Sequence, residues 1–265
     1  MNNNFNDQQI NSHYEHQRAL RNGTLNHHER DILDINPRNT ITEEDVNHFM
    51  RGVFGWMFLG LLLTTIASLV FLVALGTVPA IADNYFVLMI MLIAAQFGIV
   101  IALSAAINKL SLGAARSMFV VYSILTGFTL SSIFIVYAAD TIFLAFAMAA
   151  VFFAIMAVFG YTTQTDLTSA GRILFAGLIA IIIAMLVNLF IGSSQITFLI
   201  SIAGVAVFSG LTAYHVQRLK NEFYQYAAEG GPDVVGKLSI LGALSLYLAF
   251  INLFLSILRI LGRRN

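Results

Sequence analysis

The chain has 265 residues, 58% of them hydrophobic and only 11% charged, with a mean hydropathy of +0.80. Soluble domains carry about 25% charged residues, so this composition excludes a soluble globular protein and specifies an all-α integral membrane protein with several spans. The formal net charge is zero and cysteine is absent. There is accordingly no electrostatic footprint for nucleic acid, no disulfide framework, no thiolate metal site and no cysteine nucleophile.

Residues 1–48 are rich in Asn, Gln, His, Asp, Glu and Arg and poor in large apolar side chains. They read as a polar, disordered cytoplasmic tail with no cleavable signal peptide. Within it, Thr42 and Asp45 suit the start of a short helix leading into the membrane. His27-His28 has the spacing of a ligand pair but no partner ligands nearby, so no metal site is assigned.

Seven apolar runs follow, over 52–75, 85–107, 117–139, 142–160, 172–191, 196–215 and 238–258. Each is long enough to cross a hydrocarbon core of about 30 Å, and together they give a seven-helix transmembrane domain over 49–265. The three prolines, Pro37, Pro79 and Pro232, all lie outside the runs, so proline-broken transporter helices are not indicated. Ser123, Gly127 and Ser131 in the third run form a small-residue face for close helix packing. Trp56, Tyr85, Tyr137 and Tyr161 fall near run ends, where interfacial aromatics belong. Thr165 to Ser169 supplies N-cap candidates for the fifth helix.

Lys and Arg set the orientation. They occur in the tail (Arg18, Arg21, Arg30, Arg38, Arg51) and in alternate connections (Lys109 and Arg116; Arg172; Arg218, Lys220 and Lys237). The intervening connections near Asp83, Asp140 and Gly192-Ser193 have none, which places the N-terminus in the cytoplasm. Arg263-Arg264 conflicts with this alternation. A full crossing by the last helix puts that pair outside, and a re-entrant helix returns it inside.

The last run, Leu238 to Leu258, has one unusual face. Gly242, Ser245, Ala249, Asn252, Ser256 and Arg259 recur at steps of three and four, so they share one side of a helix. Lipid offers polar groups no hydrogen bonds, so such a face calls for protein or water. The last helix is therefore expected inside the bundle, with the other six packed around it.

No H-E-x-x-H, G-x-S-x-G, P-loop or dinucleotide fingerprint is present, so neither an enzyme nor a cofactor is expected. All fourteen Asp and Glu fall outside the seven runs. A membrane-embedded carboxylate is the usual marker of an ion path. This interior instead offers neutral polar groups: Gln96, Asn108, Asn188, Asn252 and, at the end of the sixth run, His215. Gln96 suits an interhelical hydrogen bond. His215 suits either an interfacial position or a group that titrates in the physiological range.

The stretch Ser209-Gly-Leu-Thr-Ala-Tyr-His-Val-Gln-Arg-Leu-Lys220 resembles the end of the sixth helix in the Bax inhibitor-1 family. Ala243 to Arg259 and Gly262 resemble that family's last helix. Tyr122 to Tyr137 and Gly160-Tyr-Thr-Thr-Gln-Thr-Asp-Leu167 are similar to its bacterial inner-membrane branch. The resemblance covers about residues 50–264 and implies seven helices, six of them around the last. It also implies a pH-sensitive calcium leak, with Ca²⁺ as permeant ion, gated by two aspartates that share a proton. Their places are held here by His215 and Ala249, and Gln96 stands where some relatives carry an acidic residue. Two close carboxylates split their pKa values and make a pH switch; an imidazole facing a methyl group does not. The fold inference carries over, while the gating inference does not transfer intact. The candidate gating and ion-path residues are His215, Ala249, Gln96, Asn252 and Ser245. The alternatives are a non-conducting module that engages a membrane protein, such as the membrane-anchored protease that bacterial relatives are thought to modulate, and a transporter for a neutral solute.

Overall fold

The computed structural model describes residues 41–227 and 231–262. The His27-His28 pair, the rest of residues 1–40 and the Arg263-Arg264 pair lie outside the described residues. Among those described, the secondary structure is helical: α1 Glu43–Thr77, α2 Pro79–Asp83, α3 Tyr85–Ala106, α4 Leu112–Leu130, α5 Ser132–Val136, α6 Ala139–Thr162, α7 Thr168–Ile191, α8 Ser194–Tyr226 and α9 Gly231–Leu261. Taking α4 and α5 together, seven of these segments are long and apolar enough to span a bilayer. Their outer surface is strongly apolar, with Phe58, Phe86, Phe97, Phe143 and Phe190 exposed, as a lipid-facing surface requires.

α9 is the most enclosed helix, with fifteen buried residues from Leu238 to Leu258. It packs along α8, α1 and α6 and, over a shorter stretch, α4. α3 leans on α4 and α7 on α8 rather than on α9, so four helices and not the expected six surround the last one, and α3 and α7 stand in an outer position with few buried side chains.

Small residues set how closely the helices approach. A methyl group on Gly127 would overlap the Thr64 carbonyl of α1, and one on Gly160 would overlap the Ala213 backbone of α8. The Ser123, Gly127 and Ser131 face is thus a packing face, with both serines fully buried. The third run does not continue unbroken to 139. The chain turns at Ser131, whose hydroxyl donates to the Phe128 carbonyl at 2.7 Å, and resumes as α5.

Three helices run beyond the expected spans. α1 starts at Glu43, α8 reaches Tyr226 and α9 starts at Gly231. The reason is tertiary. The apolar stripe of α8 continues through Val216, Leu219 and Phe223, and Phe223 stacks on Phe49 of α1 with ring centroids 4.7 Å apart. Glu43, Glu44 and Asp45 in the first turn of α1 favour that start through the helix dipole. Arg218, Lys220 and Lys237 therefore sit on helices rather than in a long loop.

Candidate functional site

A cavity of about 590 Å³ opens between the end of α8, the start of α9 and the end of α3. Its polar wall comprises Ser104, Asn108, His215, Arg218, Glu222, Tyr226, Lys237 and Ser245. The same end of the bundle carries the start of α1 and the end of α6. There the Tyr161 hydroxyl donates to Asn47 Oδ1 at 2.5 Å and the Tyr224 hydroxyl to Glu43 at 3.4 Å, and Lys220 lies 4.7 Å over the Tyr161 ring. The Lys- and Arg-bearing connections thus share one end. α9 leads away from it to the opposite end, where Arg259 lines a separate cavity of about 450 Å³. The two cavities share no lining residue. From Ser245 to Arg259 is four helical turns, roughly 21 Å at 1.5 Å per residue.

His215 is half-buried on α8 and lines the larger cavity. Its ring packs edge-on to Phe175, 6.0 Å between centroids. The carboxylate on this wall is Glu222, whose Oε1 accepts from Arg218 Nε at 2.7 Å. A protonated imidazole here would add positive charge beside Arg218 and Lys237.

Ala249 is 3% exposed, and it is protein rather than lipid that covers it. Gly242, Ala249 and Ser256 repeat every seven residues and share one face. Gly242 meets Leu219 of α8 and Ser256 meets Gly204. Those two approaches fix α8 and α9 as antiparallel neighbours, with Ala249 level with Leu211 and Thr212. His215 lies one turn further toward the larger cavity. The structure therefore brings His215 and Ser245 to one cavity wall and places Ala249 one turn below, on the α8–α9 seam.

The polar stripe of α9 divides accordingly. Gly242, Ala249 and Ser256 are buried against α8, while Ser245, Asn252 and Arg259 are half-buried. Ser245 donates to Leu241 O at 3.0 Å, Asn252 Nδ2 to Leu248 O at 2.8 Å and Ser256 to Asn252 O at 2.7 Å. These groups are satisfied by their own helix.

Gln96 does not join them. Its Nε2 donates to Leu92 O, Leu125 O and Thr129 Oγ1 at 3.2, 3.4 and 3.3 Å, and its Oε1 accepts from Thr126 at 3.4 Å. It clasps α3 to α4. One polar junction was not anticipated from the sequence. Tyr247 of α9 is fully buried, with its hydroxyl 2.6 Å from Thr64 Oγ1 of α1. Thr64 sends its proton to a carbonyl, Gly60 O or Ser123 O, which leaves Tyr247 as the donor. Phe119 and Tyr122 of α4 flank the ring edge-on at 6.0 and 5.9 Å. The available signal was a tyrosine in mid-span, where a hydroxyl must find a partner.

The α6–α7 connection is held by a residue inside the quoted sixth-helix motif. Gln217 Oε1 accepts from Leu167 N at 2.8 Å, and its Nε2 donates to Thr165 O at 2.7 Å. α7 then begins at Thr168 with Leu167 at its N-cap position, so none of the Thr165 to Ser169 side chains caps it in the usual way; instead Asp166 Oδ1, one residue before the N-cap, accepts from the Thr168 amide at 2.9 Å. The hydrogen bonds from Thr168 hold the Asp166 carboxyl below the usual carboxylate range.

This architecture agrees with comparisons to known proteins. The family model described as "Inhibitor of apoptosis-promoting Bax1" matches residues 46–265. The inner membrane protein YbhL of Escherichia coli K12 is 46% identical over 217 residues, covering 82% of this chain and 92% of that protein. An uncharacterized protein of Borreliella burgdorferi is 45% identical over 222 residues, 83% of this chain and 93% of its own length. An uncharacterized membrane protein of Streptococcus pyogenes serotype M6 is 39% identical over 152 residues, 57% and 65% of the two chains. With seven spans, the last of them the most enclosed, and a match over residues 46–265, this multi-pass membrane protein belongs to the Bax inhibitor-1 family.

Proposed function

We propose that this chain is an inner-membrane ion-leak or stress-modulating protein of the Bax inhibitor type whose acid-operated gate is disabled. Calcium passes slowly and without steep dependence on pH. The observation that carries this reading is the composition of the α8–α9 seam. His215 lines a wall shared with Arg218 and Lys237, Ala249 offers a methyl group one turn away, and Glu222 is already paired with Arg218. A calcium path is built from several oxygen ligands, carboxylates foremost, and a shared proton needs two carboxylates. The distribution of Lys and Arg supports a cytoplasmic N-terminus and makes the larger cavity a cytoplasmic vestibule. Calcium release from proteoliposomes at pH 6 and pH 8 tests the reading. The expected rates are low and within about twofold of each other; a rise of tenfold or more between them would contradict it.

A second reading has its own support. The ends of α1, α6 and α8 are tied together on the cytoplasmic side by the Tyr161–Asn47 and Tyr224–Glu43 hydrogen bonds. Such a cross-linked surface suits a non-conducting module that docks another membrane protein, a membrane-anchored protease among them. Capture of that partner by a chain that shows no calcium flux would favour this reading over the first.

A further inference from the structure

The cavity at the far end of α9 has a chemistry that the calcium reading does not use. Arg259 sits in the last helical turn, half-buried, and lines that cavity. Among the described residues it makes no hydrogen bond and no ion pair, and no carboxylate lines the cavity. Its ionisable neighbour is the Tyr137 phenol. A cation within a spanning helix is costly and ordinarily has a named partner; here the described residues supply none.

The rest of the wall says what kind of partner fits. Ser194 presents a hydroxyl from the first turn of α8, and Leu189 and Ile200 add apolar surface; the Thr197 hydroxyl is already engaged, donating to Ser193 O at 3.0 Å. Asn188 is fully engaged: its Nδ2 donates to Ser193 O and Thr197 Oγ1 at 3.1 and 2.8 Å, and its Oδ1 accepts from Ser193 N at 3.1 Å. Its task is to hold the α7–α8 turn that carries Ser194. A guanidinium with a hydroxyl beside it and hydrocarbon around it is a receptor for an oxyanion, and guanidinium geometry suits phosphate. The cavity lies at the α7–α8 turn and the end of α9, where these spanning helices end or begin.

We propose that Arg259, with Ser194, forms a binding site for a phosphate-type oxyanion on the face opposite the cytoplasmic vestibule. The source is either the phosphodiester of a membrane lipid or free phosphate. The site is independent of whether the chain conducts calcium.

The test is thermal unfolding of the full chain in a neutral detergent with three probes: short-chain phosphatidylglycerol, a diacylglycerol of the same chain length, and inorganic phosphate. Phosphatidylglycerol, phosphate or both should raise the melting temperature by roughly 5 °C or more near saturation, and diacylglycerol should not. A response to phosphatidylglycerol alone identifies the lipid as the source, and a response to inorganic phosphate identifies the free anion. Arg259→Gln should weaken the response by about tenfold or more in affinity, as for loss of a charged hydrogen bond, and Arg259→Lys should keep part of it. Ser194→Asp, at a helix start that tolerates an acidic residue, should also abolish the response, because it places a carboxylate in reach of the guanidinium. A purely structural role for Arg259 does not predict that loss. The proposal is overturned if neither anion stabilises the protein, if diacylglycerol matches phosphatidylglycerol, or if Arg259→Gln or Ser194→Asp responds like the parent.

Discussion

At the scale of single residues, the membrane interior holds its polar groups in two ways. Ser245, Asn252 and Ser256 turn back on their own helix, so they contribute little to joining helices. Gln96 and Tyr247 do join helices, α3 to α4 and α9 to α1. Interhelical hydrogen bonds in membranes are worth roughly 0.6–2 kcal/mol. Tyr247→Phe should therefore destabilise the protein by about that amount in reversible unfolding. Thr64→Val should act similarly, and the double variant should lose less than the sum of the two, since both remove one shared bond. Full additivity would show that the 2.6 Å contact carries no coupling. The Gln96 role was legible in the sequence, because an amide deep in a span has few alternatives. The Tyr247–Thr64 pair was not, since a mid-span tyrosine shows only that its hydroxyl needs a partner, and the partner lies 183 residues away.

At the scale of elements, spacing is set where glycine faces backbone. Gly160→Ala would drive a methyl group into the Ala213 backbone at the α6–α8 contact and should cost about 1–3 kcal/mol, as overpacking does. Gly98 on α3 has nothing within 4 Å of the added methyl group. Gly98→Ala should be neutral or stabilising by about 0.5–1 kcal/mol through backbone entropy. Melting temperatures of the two variants check the contrast, and a similar loss in both would contradict the packing assignment. The spans were readable because a bilayer demands long apolar runs, and the Ser123–Gly127–Ser131 face because small residues at four-residue steps have one common use. The helix ends were not, because α1 and α8 are prolonged by the Phe49–Phe223 stack between distant residues. The break at Ser131 was hidden by the unbroken apolar composition around it.

At the scale of the whole molecule, an enclosed last helix links two cavities of unlike character. The vestibule between α3, α8 and α9 gathers His215, Arg218, Lys237 and Ser245. The far cavity presents Arg259. The sequence named His215, Ala249, Gln96, Asn252 and Ser245 as candidates; the structure puts His215 and Ser245 on the vestibule wall, leaves Ala249 buried on α9 and ties Gln96 to α4 instead. Arg218, Glu222 and Lys237 were read as loop charges, and their place on the vestibule wall depends on the helices continuing beyond the membrane. A His–methyl pair stands where the family resemblance implies a proton-sharing carboxylate pair, and in the proposed function this substitution removes the acid gate. The direct measurement is calcium release from proteoliposomes holding the parent or the variant with both His215→Asp and Ala249→Asp, each at pH 6 and pH 8. The parent should be flat and the variant's rate should change about tenfold or more between the two pH values; a steep parent, or a variant as flat as the parent, would contradict the loss of the gate.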